Sequence, residues 1–358
     1  MGFPLWRPTV NNFFLFRFFF LRSKNQPNEK LERGNFGNLN RFISPLTARY
    51  GNSSNVEDFT EKSQVQVYEG HRAYFEAYSR NKYFATGVVQ WMQNNAQPQM
   101  LWRLYDFYFT PSASYFAVKK ACANLSVLFS YDEYRSIYLV NSLYKVWKED
   151  LTVTAKVYNC TQSFNPVFSE THQVRAPFSS DSSNFLFTLP AFRNVESSHF
   201  LVLKVFSSKD NKLVADNFYW LSTKPDVLAW KNSTWYNTPA ESFADFSLLQ
   251  KIPRVKVESR TKLLSVSPSI LVEGATQVKM EITTCNPSSS TIAFFVRLRI
   301  VDAATKQDIL PVFFTDNYFS LEPRETKVVE ATYNTFQTAD KLLAEIITET
   351  FNEISGGK

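Results

Sequence analysis

The strongest constraint on the fold is a period-two alternation. Leu151, Val153, Ala155 and Val157 are separated by Thr152, Thr154 and Lys156, and Val278, Met280 and Ile282 by Lys279 and Glu281. Successive side chains of a strand point to opposite faces, so such tracts fit strands with one face buried and the other wet, the habit of antiparallel sheets. Shorter runs of the same kind occur at Leu125, Val127, Phe129 and Tyr131, at 185–189 and at 200–206, and Phe294 to Val301 reads as a long strand. Short strands separated by turn residues assemble into sandwiches of roughly 100 residues. Two such modules are expected, over 124–222 and 254–336, joined by an irregular connector over 223–253. The echo of Asp216-Asn-Phe-Tyr219 in Asp316-Asn-Tyr-Phe319, late in each module, suggests a common origin for the two. Residues 337–358 read as a tail, with a frayed helix from Lys341 to Ile354 and a flexible Gly-Gly-Lys end.

The texture differs before residue 124. From Val56 to Arg80 the sequence suits a helix: Val65, Tyr68, Phe75 and Tyr78 share one face, and Asn55 followed by Asp58 resembles a helix start. Ser112 to Ala123 reads as a second helix. Between them, Val88 to Met92 is an apolar run, expected as a strand over 87–92, that ends in the polar and aromatic loop up to Asp106. Helix, strand, loop, helix is the closing segment of a parallel (β/α) barrel, whose strand ends open onto a cleft. Residues 36–123 are therefore expected to be the terminal α/β piece of an incomplete (β/α)8 barrel. A lone barrel strand keeps unpaired edges. On that argument 36–123 should pack poorly, while 125–222 and 254–335 should fold independently.

Composition removes several function classes. Lys and Arg give a net charge of +6 but never form a run of five, so the stripe that grips nucleic acid is missing. Cys122, Cys160 and Cys285 are far apart and odd in number, and His71, His172 and His199 are isolated. This is neither a disulfide framework nor a zinc spacing, so no metal and no cofactor are expected; one Cys122–Cys160 bridge stays open. Four Asn-x-Ser/Thr sequons, at Asn52, Asn124, Asn159 and Asn232, permit a secretory context. Phe13 to Leu21 is apolar apart from Arg17, too short to span a bilayer and a poor signal peptide. Residues 1–35 are read as a segment foreign to the rest of the chain, and membrane attachment through it is a minor alternative.

From about Phe36 to Glu330 the sequence resembles the C-terminal part of glycoside hydrolase family 2, in the branch of the exo-β-glucosaminidases and plant-type endo-β-mannosidases. The resemblance rests on Phe36-Gly-Asn-Leu-Asn, Ala48-Arg-Tyr-Gly51, Tyr68-Glu-Gly-His-Arg-Ala-Tyr-Phe-Glu-Ala77, the run from Thr86 to Asp106, Ser114-Tyr-Phe-Ala-Val-Lys-Lys-Ala-Cys122, Ser130-Tyr-Asp132, Asp216-Asn-Phe-Tyr-Trp-Leu221 and Leu310-Pro-Val-Phe-Phe-Thr-Asp-Asn-Tyr318. It implies immunoglobulin-like folds for the two sandwiches and a β-linked glycan, containing glucosamine or mannose, as the partner. It also implies a retaining mechanism, which needs an acid/base and a nucleophile about 5 Å apart. In the family both lie on barrel strands before the last one, so no catalytic residue is expected in this chain and it is expected to be inactive alone.

Glu69 and Glu76 are no substitute, because seven residues of helix separate them by about 10 Å; Arg72 and Arg80 are their natural ion-pair partners. What the resemblance retains is the cleft wall: Trp91 to stack on a sugar, with Asn94 and Asn95 to bond its hydroxyls. Gln97, before Pro98, replaces the family's usual aromatic, and Trp102 and Asp106 match family positions and read equally as structural or ligand-facing. A secreted, lysosomal or vacuolar parent enzyme is implied. The alternative is a non-catalytic carbohydrate-binding or interaction protein made of two sandwiches.

Overall fold

The computed structural model describes residues 39–85, 87–94, 103–132, 134–235, 237–336 and 344–357. Phe13–Leu21, Asn95, Gln97, Pro98 and Trp102 lie outside them. Helix α1 (Leu39–Tyr50) leads into α2 (Val56–Arg80), which has the bounds read from the sequence. Asn55 Oδ1 accepts the Asp58 N–H at 2.8 Å, and the Asp58 carboxylate accepts the Ser54 N–H at 2.9 Å. This reciprocal cap satisfies donors that a helix start leaves free. Helix α3 (Ala113–Ala121) starts after Ser112.

The first sandwich pairs the sheet β1 (Leu125–Phe129), β2 (Ser136–Asn141), β5 (Ser182–Thr188) with the sheet β4 (Phe168–Val174), β3 (Leu151–Asn159), β6 (Ser198–Ser207), β7 (Leu213–Ser222). All neighbours run antiparallel. The alternation read from the sequence fills its interior: Leu151, Val153, Ala155 and Val157 pack with Val127, Ile137, Leu139, Leu201 and Leu203. The connector carries a small hairpin, β8 (Val227–Leu228) with β9 (Ala240–Ser242).

The second sandwich pairs β10 (Glu258–Pro268), β11 (Thr276–Cys285), β15 (Thr326–Thr335) and β13 (Val312–Phe314) with β14 (Phe319–Leu321), β12 (Ala293–Asp302) and β16 (Ala344–Glu349). The chain is thus mainly β, with two sandwiches behind a piece that is helical among the described residues.

The expected tail is in fact part of this module. Ala344–Glu349 pairs antiparallel with Arg297–Asp302 of β12, supplying the edge that β12 would otherwise lack. Helix α4 (Phe351–Ile354) comes next, capped by Thr350, whose side chain accepts the Glu353 N–H. Asn352 is buried; its Oδ1 accepts the Phe294 N–H at 2.7 Å and its Nδ2 donates to Pro253 O and Ile292 O.

Nor do the helices pack poorly. Tyr68 of α2 lies against Trp220 of β7 (5.8 Å between ring centroids) and Phe295 of β12 (5.6 Å). Phe200 and Trp220 reach Phe294 at 5.2 and 5.3 Å. A register shift in β12 between Ala293 and Val296 lets both Phe294 and Phe295 be buried. One hydrophobic core therefore joins α1, α2, α3, the outer face of β6 and β7, and the second sandwich. The expected looseness of residues 36–123 therefore does not hold for their helices, which share a core with both sandwiches.

The Asp-Asn echo does not mark equivalent positions either. Asp216–Tyr219 lies in the last strand of the first module, whereas Asp316–Phe319 leads into β14. The two aspartates instead converge on Lys327, at 3.7 and 2.7 Å. All three cysteines are free.

Candidate functional site

Residues 87–92 form no strand. A single extended segment gains sheet hydrogen bonds only from a neighbour, and among the described residues none lies beside it. Its side chains still alternate in exposure, with Val89 at 82% and Trp91 at 73%. Asn94 is exposed in the same loop, next to Gln93, whose carbonyl accepts the Leu104 and Tyr105 N–H groups at 3.0 and 2.8 Å. Trp91 and Asn94 therefore stand together on an exposed loop, while Asn95 is outside the described residues. Asp106 is structural, because its Oδ1 accepts the N–H groups of Tyr108 and Thr110 at 2.8 and 2.9 Å and so closes the return turn.

The charged residues of α2 line a separate cleft of about 360 Å³ between that helix and the first sandwich. Gly70, Ala73 and Ala77 keep its floor low, and Phe129 and Tyr131 form a wall. Glu76 is committed to the scaffold. Its Oε1 accepts from Asn217 Nδ2 at 2.7 Å and its Oε2 from Tyr219 OH at 2.9 Å. Burial raises the Glu76 carboxyl against the opposing pull of Arg72 and these hydrogen bonds. Burial also raises Glu69, which Arg49 and Arg72 oppose, and Tyr50 OH lies 3.5 Å from its Oε2.

The expected ion pairs along the helix are replaced by longer-range ones. Arg80 donates to Ser130 Oγ and lies 3.6 Å from Asp132. Arg49 pairs with Asp226 of the connector at 2.9 Å. Arg72 is wholly buried. It donates to Phe218 O and, at 3.1 Å, to Tyr131 OH, and its guanidinium lies over the rings of Tyr219 (4.3 Å), Trp220 (4.7 Å) and Tyr68 (5.4 Å). Glu76 is thus held by two short hydrogen bonds, whereas Glu69 has only the longer contact with Tyr50. Among the described residues, no three His, Cys, Asp or Glu gather as metal ligands, and no helix is long and apolar enough to cross a membrane. The Arg49–Asp226 pair spans 177 residues of sequence, and no local pattern announces it.

Residues 235–352 match the family model of the exo-β-D-glucosaminidase Ig-fold domain. An exo-β-D-glucosaminidase from Amycolatopsis orientalis is 35% identical over 84% of this chain and 28% of its own length. The solved structure of an exo-chitosanase from the same organism, in complex with PNP-β-D-glucosamine, superposes with a TM-score of 0.79 at 32% identity. It covers 89% of this chain and 37% of that one. The chain is homologous to the C-terminal region of the family 2 exo-β-D-glucosaminidases. A mannosylglycoprotein endo-β-mannosidase of Lilium longiflorum is a more distant glycosidase relative, 21% identical over 79% of this chain and 33% of its own length. The chain thus spans about a third of the length of the relatives it matches.

Proposed function

We propose that this chain is the non-catalytic C-terminal part of a retaining β-glucosaminidase, with a β-mannosidase specificity as the nearer alternative within the family. Its role is to hold a sugar-facing loop beside an acid pair carried by a barrel portion outside this sequence. Trp91 stacks on the terminal sugar, and Asn94 with Asn95 bonds its hydroxyls. The observation that carries this reading is that Glu76 is tied to the scaffold through Asn217 and Tyr219 and Glu69 sits beside Tyr50, while Trp91 and Asn94 remain exposed. A retaining reaction needs two carboxyls about 5 Å apart and free to act.

The test is hydrolysis of p-nitrophenyl β-D-glucosaminide by the purified chain, alongside titration of glucosamine oligomers followed by tryptophan fluorescence. No p-nitrophenol should appear, and Trp91→Ala should remove the sugar-dependent fluorescence change. Release of p-nitrophenol that stops when Glu69 or Glu76 is changed to Gln would overturn the proposal. The continuous core joining the helices and both sandwiches supports a second reading, a stable carbohydrate-binding or interaction protein in its own right. That reading also requires sugar binding or partner capture without hydrolysis, and it differs in needing no barrel.

A further inference from the structure

Four sequons are present, and the structure treats them differently. Asn159 is structural: its Oδ1 accepts the Glu196 N–H at 3.0 Å, and its strand β3 is paired with β6 through His199. Asn159 is half-buried, and this hydrogen bond commits its carboxamide to the fold. Asn52, Asn124 and Asn232 are exposed. Asn232 alone has an exposed aromatic ring two positions before it: Trp230, at 71% exposure, in the same 3₁₀ turn, Trp230–Asn232. The Asn232 N–H bonds Ala229 O at 2.8 Å and the Ser233 N–H bonds Trp230 O at 3.2 Å, which holds the backbone of both residues in one tight turn. Thr234, the third sequon residue, closes the loop by accepting the Asn237 N–H at 3.1 Å. Asn52 also has an aromatic two positions earlier, Tyr50, but that ring is wholly buried and cannot meet a sugar.

We propose that Asn232 is an N-glycan acceptor and that the Trp230 indole is the platform on which the first N-acetylglucosamine rests. The donor is a lipid pyrophosphate-linked oligosaccharide. Asn232 Nδ2 forms a bond to the anomeric carbon as the bond from that carbon to the pyrophosphate oxygen breaks. The amide gives up one proton, and lipid pyrophosphate leaves. The sugar's axial C–H groups then cover an indole face that water otherwise wets.

The experiment sends the full chain, behind an appended secretion signal, through a eukaryotic host and maps glycopeptides by mass spectrometry before and after peptide N-glycosidase. Asn232 should be occupied in most molecules and Asn159 in none that are folded. Asn232→Gln should remove one glycan. Trp230→Ala keeps the sequon but should lower occupancy several-fold and abolish the difference in Tm between glycosylated and enzymatically deglycosylated protein. Folded, secreted protein unmodified at Asn232 overturns the site, whatever its other sequons carry. A Trp230→Ala chain with unchanged occupancy and an unchanged Tm difference overturns the platform.

Discussion

Glu61 makes this fold sensitive to pH. It lies on α2 at the interface with the second sandwich, buried, with Oε1 lacking a hydrogen-bond partner among the described residues. Burial pushes its carboxyl from 4.5 up to about 8; Arg297 opposes that shift, while Glu349 and Asp58 add to it. The unfolded chain releases this proton near 4.5, the folded chain only near 8. Between those values the folded state holds more protons, so stability falls as pH rises. Below 4.5 the contribution is fully present, and it is lost on passing through 8. At about 1.4 kcal/mol per pH unit, the displacement is worth on the order of 4–5 kcal/mol.

Glu61→Gln keeps the shape and removes the proton equilibrium. In urea unfolding at about pH 5 and about pH 8.5, the wild-type chain should lose about 4 kcal/mol more than the variant. That is about 1 M in the urea midpoint for a protein of this size. Midpoints that move in parallel for the two proteins would refute the reasoning. They would show that Arg297 or penetrating water already neutralises the buried carboxylate.

The packing of α2 on the first sandwich and of the C-terminal helix on β12 supports two further predictions. Arg72→Met should destabilise the chain by about 3–5 kcal/mol in urea, because it leaves Glu76 buried without its opposing charge; Arg72→Lys should not rescue it, since an ammonium cannot replace the planar contact with Tyr219 and Trp220. Phe351→Ala should cost about 3–5 kcal/mol, because Phe351 is fully buried and edge-on to Phe294 at 5.3 Å; a thermal midpoint unchanged by this substitution would return residues 351–354 to the status of a tail.

Elements with their own periodicity were legible from sequence. The α2 helix and strands β3, β11 and β12 each state their geometry in their own residues. The C-terminal strand was not legible, because Leu-Leu-Ala-Glu-Ile-Ile over 342–347 contains good helix formers. Its strand state comes from the open edge of β12, information held some 45 residues away. Residues 87–92 failed in the opposite direction: the pattern of a strand is present, but pairing needs a neighbour. For the candidate loop, Trp91 and Asn94 were singled out by residue type, and the structure adds their exposure. The roles of Glu76 and Arg72 were not, because their partners Asn217, Tyr219 and Phe218 lie more than 140 residues further on.

The charged face of α2 is the point at which scaffold and chemistry separate. A solvated face would leave Glu69, Arg72, Glu76 and Arg80 as weak pairs contributing a few tenths of a kcal/mol each. Here Arg72 and Glu76 are buried and their hydrogen bonds reach Phe218, Tyr131, Asn217 and Tyr219. Breaking one partner of such a network is costly, so these residues serve alignment and are poorly placed to exchange protons with a substrate. The exposed loop around Trp91 has the opposite character: its indole is largely open to solvent and, among the described residues, has no comparable tie to the core. A binding group can be exposed in this way, whereas the acid pair of a retaining glycosidase must be close, oriented and free to titrate. This division accords with the proposed role, in which the helix fixes the position of the wall and the loop presents it to a sugar.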